Sequence, residues 1–521
     1  MSTGAAEAAS VGGASAATHR VPRETSSPVS AGSGSPRDRG FLLIIGLLVG
    51  GVALLAVGAL DLMKPQAAAG LVIGATVGVV SRHWLLHWPR MVAALVLVIL
   101  FIPIRRYGFI GDLPFQLEPY RVFMAILIGA WLSGVLIERS ITLRRSVFDK
   151  PVIGIFIVTL ASIVMNPARV GETGGYVAKA MMFLISFLLV YAIIVSVIRE
   201  RSQIDMLIRL FCIGGVVLGL TAILEARGIG NPFDHLQGWI PGLSLQELPD
   251  VPARNGRARA YASAQHPISL SALLAMIIPL MIYMARRTGH ARWMWLIAFP
   301  LAGIAATSSR TGILMVCVVI AVFAWLRPKQ ARRFSPLLIP GLVLVQLTMP
   351  GTLGSLYKSF FPESGLIAEQ ANAQVGSGRV ASFGPAISEW SETPLFGQGY
   401  GTRVTDEGPD QNAFILDDQW LSTLLDSGLL GALAWAWLFG TVVVKLGLAA
   451  RRDDTDDGWL MASLSAAIAA FAVGMVTFDA FSFIQVTFVA FALIGIGAVV
   501  YRMSGHEDGT AVTETRETGA A

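Results

Sequence analysis

The sequence predicts an all-α integral membrane protein with about 12–14 transmembrane helices, and three observations carry that prediction. Of the 521 residues, 54% are hydrophobic and 14% charged, and the mean hydropathy is +0.64, outside the range of soluble globular domains. Apolar runs close to the length that spans about 30 Å of hydrocarbon recur from Phe41 to Tyr501. The short loops between them alternate in arginine and lysine content, the asymmetry that orients a chain during insertion.

About fourteen runs meet the criterion of length and apolarity, near 41–62, 67–82, 90–104, 121–137, 151–165, 176–198, 204–225, 267–285, 291–308, 311–326, 335–349, 420–448, 458–477 and 481–501. Several are short, so twelve spans also fit. Residues 1–39 and 503–521 are polar, small-residue tails with too little apolar content to offset the entropy of folding. A secretory signal would not follow a polar tail of this length, so 41–62 is expected to be a retained first span. The chain then divides into N-terminal helices over 40–225, a loop at 226–266, helices over 267–349, a larger loop at 350–417 and C-terminal helices over 418–502. Cys212 and Cys317 fall inside runs, where cysteine behaves as a small apolar residue, and neither a disulfide framework nor a zinc spacing is present.

With the N-terminus inside, the tails and loops such as "ERSITLRRSVFDK" (138–150), "ARRTGHAR" (285–292) and "RPKQARR" (327–333) hold roughly 24 of the 39 Lys and Arg residues. Both tails are therefore expected in the cytoplasm and the two large loops outside it. The pI near 9.3 does not point to nucleic acid, because the basic residues are scattered among short loops. The acidic run "RRDDTDD" (451–457) is expected to be a solvated cytoplasmic loop.

The outer face should be poor in positive charge, yet it carries Arg254, Arg257 and Arg259 in the first loop, Arg310 at a tight turn, and Arg379 and Arg403 in the second. A guanidinium near lipid is costly and usually faces a cavity and a partner. Its fork matches phosphate oxygens in a bidentate way and stays charged at any relevant pH. Arginines from separate loops thus point to an anionic, phosphorylated ligand. The alternative for Arg310 alone is that it snorkels at the boundary while Ser308 and Ser309 shape the turn.

Asp418, Ser422 and Asp426 are spaced to fall on one face of a helix, with Gln419 beside them. A polar stripe at the head of an apolar span points to a wet cavity, while helix capping is the alternative for Asp417 and Asp418. His266 precedes Pro267, a residue favoured at a first helical position, and is a candidate substrate contact. "GQGYG" (397–401) lacks the elements of a phosphate loop and is expected to be a turn with glycines at positive φ. Trp390, Tyr400 and Trp420 fall where an interfacial aromatic belt is expected.

These residues resemble a family. "RAYASAQHP" (259–267) looks like the Arg…His-Pro segment of the O-antigen ligase and polymerase superfamily, and "TSSRTGIL" (307–314) resembles its Ser-Arg-Gly segment. "SGRVASFGPAISEWSETPLFGQGYG" (377–401) followed by "DDQWLSTLLDSGLLG" (417–431) resembles its long outer loop and the helix after it. The similarity runs from about residue 225 to 450, in the family's order.

The resemblance implies a GT-C-like transferase that takes a polyprenyl-diphosphate-linked glycan as donor and a glycan or lipid as acceptor, in the bacterial cytoplasmic membrane, alongside other polysaccharide-assembly proteins. It implies that Arg259, Arg310 and Arg379 hold the diphosphate; Arg403 in the same outer loop is a weaker fourth candidate, and Gln419 at the helix head a further substrate contact. Fixed cations would stabilise the charge that develops on the departing diphosphate, so no metal or other cofactor is required. Where ligases of the family carry a His-Asn pair, this chain has Asp417, Asp418 and Gln419. Asp418 is then the candidate for activating the acceptor, and the substitution favours a polymerase or another branch over a lipopolysaccharide ligase.

A flippase or other secondary transporter is the rival from another class. It rests on Lys179, Arg209 and Asp479, but no internal repeat accompanies them. A peptidoglycan-type glycan polymerase would share the chemistry and differ in substrate.

Overall fold

A computed structural model describes residues 87–109, 118–137, 144–240, 242–246, 258–334, 379–405 and 410–505, with isolated positions between them. All lie in one compact unit, Val80–Ala521. The expected spans at 41–62 and 67–82, most of 335–349, both polar tails from 1–39 and 506–521, and Arg254 and Arg257 lie outside the described residues.

The protein is an all-α integral membrane protein. Its helices are α1 (Trp88–Phe101), α2 (Pro119–Ile137), α3 (Asp149–Met165), α4 (Pro167–Glu172), α5 (Gly174–Val197), α6 (Arg201–Ala226), α7 (Pro267–Thr288), α8 (Arg292–Leu296), α9 (Ala298–Ala306), α10 (Arg310–Leu326), α11 (Pro328–Phe334), α12 (Arg379–Glu392), α13 (Gln419–Arg452), α14 (Asp456–Gly474) and α15 (Ile484–Met503). Of the described helices, six are long and apolar enough to cross a membrane: α5, α6, α7, α13, α14 with the turn after it, and α15. The run at 291–308 forms two pieces, α8 and α9, where one continuous span was expected.

The ends follow from local chemistry. The Nδ1 of His266 accepts the Ile268 N–H and Pro267 opens α7, while Gly289 closes it at φ 66. Thr455 caps α14 by accepting from the Asp457 N–H. In the centre, α14 packs against α13, α7, α10 and α15, and the whole apolar window of α15 is buried. Ile153 and Ile157 of α3, Met182 of α5 and Leu433 of α13 are exposed. Such outward apolar faces suit a hydrocarbon surrounding.

Alternation of the helices places the described residues 102–109, 166–173, 227–240, 242–246, 258–266, 307–309, 379–405, 410–418 and 475–483 at one end of the bundle, and 144–148, 289–291, 327 and 453–455 at the other. At the first end two short strands, β1 (Tyr107–Phe109) and β2 (Leu243–Leu245), pair antiparallel with Tyr107 opposite Leu245. The pairing ties the loop after α1 to the loop after α6.

At the second end the acidic run 451–457 is largely exposed, as expected of a solvated loop, and also makes ion pairs that clamp neighbouring helices. Asp456 meets Arg287 at 2.9 Å, Asp457 meets Arg201 at 2.5 Å and Asp454 meets Arg327 at 2.9 Å. Asp205 accepts from the Tyr283 hydroxyl at 2.6 Å and from Arg287 Nε at 3.0 Å. Asp205→Ala strands that hydroxyl and loosens two guanidiniums, so a loss of about 2 kcal/mol is expected. Asp457→Ala, at a wetter pair, should cost under about 1 kcal/mol. Thermal unfolding in detergent checks the order, and equal shifts would refute the clamp's asymmetry.

Candidate functional site

The turn that begins α10 is the site's first element. Thr307 Oγ1 accepts the Ser309 N–H at 3.2 Å, and Ser308 holds φ 50, a left-handed conformation rare for serine. Arg310 is the first residue of α10. Its backbone therefore belongs to the positive dipole end of that helix. The other strand of the site lies against this turn: the Ala260 N–H donates to Ala306 O at 3.2 Å, and Arg259 Nε donates to Thr307 O at 3.1 Å. Arg259 and Arg310 are thus brought to one turn.

The segment carrying Arg259 is held from three sides. Glu225, at the end of α6, accepts the N–H groups of Tyr261 and Ala262 at 3.2 and 2.9 Å. Ala262, itself at φ 45, receives Asn231 Nδ2 at 2.9 Å and an Arg106 guanidinium nitrogen on its carbonyl. Arg106 also meets Asp234 at 2.6 Å, and the Tyr261 hydroxyl donates to the same carboxylate at 3.1 Å. Burial lowers the Arg106 pKa, and the Asp234 carboxylate opposes that shift. Among the described residues, the non-glycine residues at positive φ are Arg105, Ala262 and Ser308. All three stand at this end, where such strain persists only if the surroundings over-determine it.

The turn between α14 and α15 joins the remaining parts. Thr477 and Thr311 hydroxyls are bonded at 2.9 Å, next to Arg310. The Phe481 N–H donates to Gln419 Oε1 at 2.8 Å, the Phe483 ring stacks on His266 at 5.7 Å, and the Ile484 N–H donates to Gln265 Oε1 at 3.2 Å. One turn therefore touches the N-termini of α7, α10 and α13. Asp479 lies in it, bonded by the Ser482 hydroxyl at 2.5 Å. Burial pushes the Asp479 carboxyl up, the Ser482 hydrogen bonds oppose, and the nearby charge of Asp417 adds to the rise.

Helix α13 is broken. Gly428 adopts φ 67 and ψ −166, and the segment after α12 fills the gap. Gln398 and Gly399 donate their N–H groups to Leu425 O at 2.8 Å and Asp426 O at 3.2 Å, while Leu429 and Leu430 donate to Pro394 O and Leu395 O at 2.8 and 3.2 Å. Ser162 Oγ of α3 donates to Asp426 O at 2.8 Å. A break inside an apolar helix is tolerated when the freed groups are re-satisfied in this way. The GQGYG turn has its glycines at φ 67, 107 and 77, as its composition predicts.

The sequence candidates separate accordingly. Arg259, Arg310, His266 and Gln419 converge through the two turns. His266 spends Nδ1 on capping α7. Asp418 is the N-cap of α13, its Oδ1 accepting the Leu421 N–H at 3.1 Å. Of the three residues expected on one helix face, Asp418 caps the helix, and Ser422 and Asp426 lie within its first segment, Asp426 two residues before Gly428. Arg403 stands apart, 3.8 Å from Glu389 and over the Phe414 ring. Arg379 begins α12, and its side chain lies outside the described residues. Trp390 and Trp420 donate their indole N–H groups to Pro394 O and Ala472 O. Lys179 and Arg209 are exposed on the bundle's outside, whereas a transport path would need them within it.

Arg105, Arg106, Glu225 and Asp234 were missed in the sequence. The two arginines carried the same signal as the others, positive charge on the side that should be poor in it.

Residues 294–436 match the family described as O-Antigen ligase. The matched segment contains Arg310, Arg379, Arg403, Asp417, Asp418, Gln419 and Asp426, and leaves Arg259, His266 and Asp479 outside it. No curated protein matches the chain.

Proposed function

We propose that this membrane protein, whose residues 294–436 match the family described as O-Antigen ligase, joins polyprenyl-diphosphate-linked glycan units into a cell-surface polysaccharide on the extracytoplasmic face. The observation that carries this reading is the meeting of Arg259 and Arg310 at the turn opening α10. Two guanidinium forks beside a helix N-terminus form a cradle for a diphosphate.

As an acceptor hydroxyl attacks the anomeric carbon, the bond from that carbon to the diphosphate oxygen breaks and its electron pair leaves with the diphosphate. Arg259 and Arg310 stabilise that charge more strongly in the transition state than in the ground state. The hydroxyl proton passes to one carboxylate, Asp418 at the head of α13 in the first place, with Asp417 beside it and Asp479 of the facing turn as the other acceptors at this end. The raised Asp479 brings its basicity closer to what general-base catalysis needs. The charge bias of the loops supports the assignment of this end to the outer face.

Asp418→Asn separates chemistry from capping, because asparagine caps as well as aspartate. It is expected to leave thermal stability within about 0.5 kcal/mol and to lower transfer if the carboxylate takes the proton. Asp418→Ala should cost about 1 kcal/mol in addition. The reading as a whole is tested in cells lacking the protein: lipid-linked repeat units should accumulate on the outer face, and accumulation on the inner face would contradict it.

A further inference from the structure

Five polar atoms near the break in α13 are buried with no hydrogen-bond partner: Thr393 Oγ1, Gln398 Oε1, Arg403 Nε and Nη2, and Asp426 Oδ1. They belong to one place, since the 394–399 segment is bonded to residues 425–430 through four backbone pairs. The Arg403 side chain is 6% exposed, and its Nε stands 3.8 Å from Glu389 Oε1, beyond hydrogen-bond reach. Gln398 Nε2 occupies that Glu389 oxygen at 2.8 Å. The charges of Arg403 and Glu389 both act on Asp426, and Glu389, 28% exposed, leaves the group accessible from one side.

The unpartnered atoms define what would satisfy them. Arg403 offers two donors, Gln398 and Asp426 offer two acceptors, and Thr393 can do either. A phosphate supplies acceptors only and would face the carboxylates of Glu389 and Asp426. A sugar hydroxyl donates and accepts at once, and the adjacent Phe414 ring supplies an apolar wall. We infer that the Arg403 and Asp426 group is the subsite for the hydroxyls of the acceptor glycan, separate from the diphosphate position at Arg259 and Arg310. The inference rests on the function proposed above, and it moves Arg403 from the diphosphate to the acceptor sugar.

The test is binding to the full chain in detergent, by saturation-transfer NMR with methyl glycosides of neutral hexoses and by phosphorus NMR with inorganic pyrophosphate. Arg403→Gln and Asp426→Asn are expected to weaken glycoside binding about tenfold and to leave pyrophosphate binding unchanged. Arg310→Ala should do the reverse. Should Asp426→Asn fail to fold, Glu389→Gln at the more open edge carries the same expectation. Glycoside binding absent in the wild type, or unchanged in Arg403→Gln and Glu389→Gln, overturns the inference, as does pyrophosphate binding lost in Arg403→Gln. Glycoside binding with the expected variant pattern, in a wild-type protein that transfers no glycan in liposomes, would support the subsite and refute the proposed function.

Discussion

Arg310→Ala is expected to lower glycan transfer by on the order of a hundredfold or more while the protein still folds. On the proposed function the loss is large because the side chain would act where charge develops on the leaving diphosphate. Folding is spared because Arg310 opens α10 as its first residue, and its neighbours Thr307, Ser309 and Thr311 keep the turn through their own hydrogen bonds. Arg310→Lys keeps the charge and loses the bidentate fork, so an intermediate rate is expected. Surface polysaccharide at matched membrane levels of each variant measures the order. Full activity of Arg310→Ala would return the residue to a snorkelling anchor.

The second large effect is structural. Gly428→Val should prevent assembly of the C-terminal bundle, because a Cβ there would lie 2.3 Å from Leu395 backbone atoms and the residue holds φ 67. A β-branched residue resists that conformation, and the close approach leaves no room for the seam with 394–399. Loss of the four backbone bonds between 394–399 and 425–430 follows, each of which leaves a buried polar group at a cost of about 1–3 kcal/mol. Folded yield by size-exclusion in detergent reads this directly. A monodisperse Gly428→Val protein with wild-type unfolding temperature would mean that the helix can close over the break.

Much of the span pattern was legible because about 20 apolar residues in a row have few alternatives to a buried helix. The runs at 204–225 and 481–501 became α6 and α15 with ends shifted by a few residues. The broken helix was not legible. "LLDSGLLG" is apolar enough to pass for a continuous span, and the segment that accepts its freed backbone groups lies some thirty residues earlier in the chain. The clamp at the other end was hidden for the same reason. Asp454, Asp456 and Asp457 show no partners in the sequence because Arg327, Arg287 and Arg201 come to them from distant helices.

The arginines were visible as charge on the side where little was expected. Their sorting into two groups was not, because it depends on tertiary contacts: Arg259 on the turn before Arg310, Arg403 beside Glu389 and Asp426. Asp418 illustrates the remaining limit. Its position allowed a cap or a catalytic carboxylate, and the cap is made.

The most direct measurement is transfer by the purified full chain in liposomes, supplied with lipid-linked repeat units isolated from cells that lack it. The account predicts that the wild type elongates or transfers the glycan and releases the polyprenyl diphosphate, and that Arg259→Ala and Arg310→Ala release almost none. No release by the wild type, or equal release by Arg310→Ala, would contradict it.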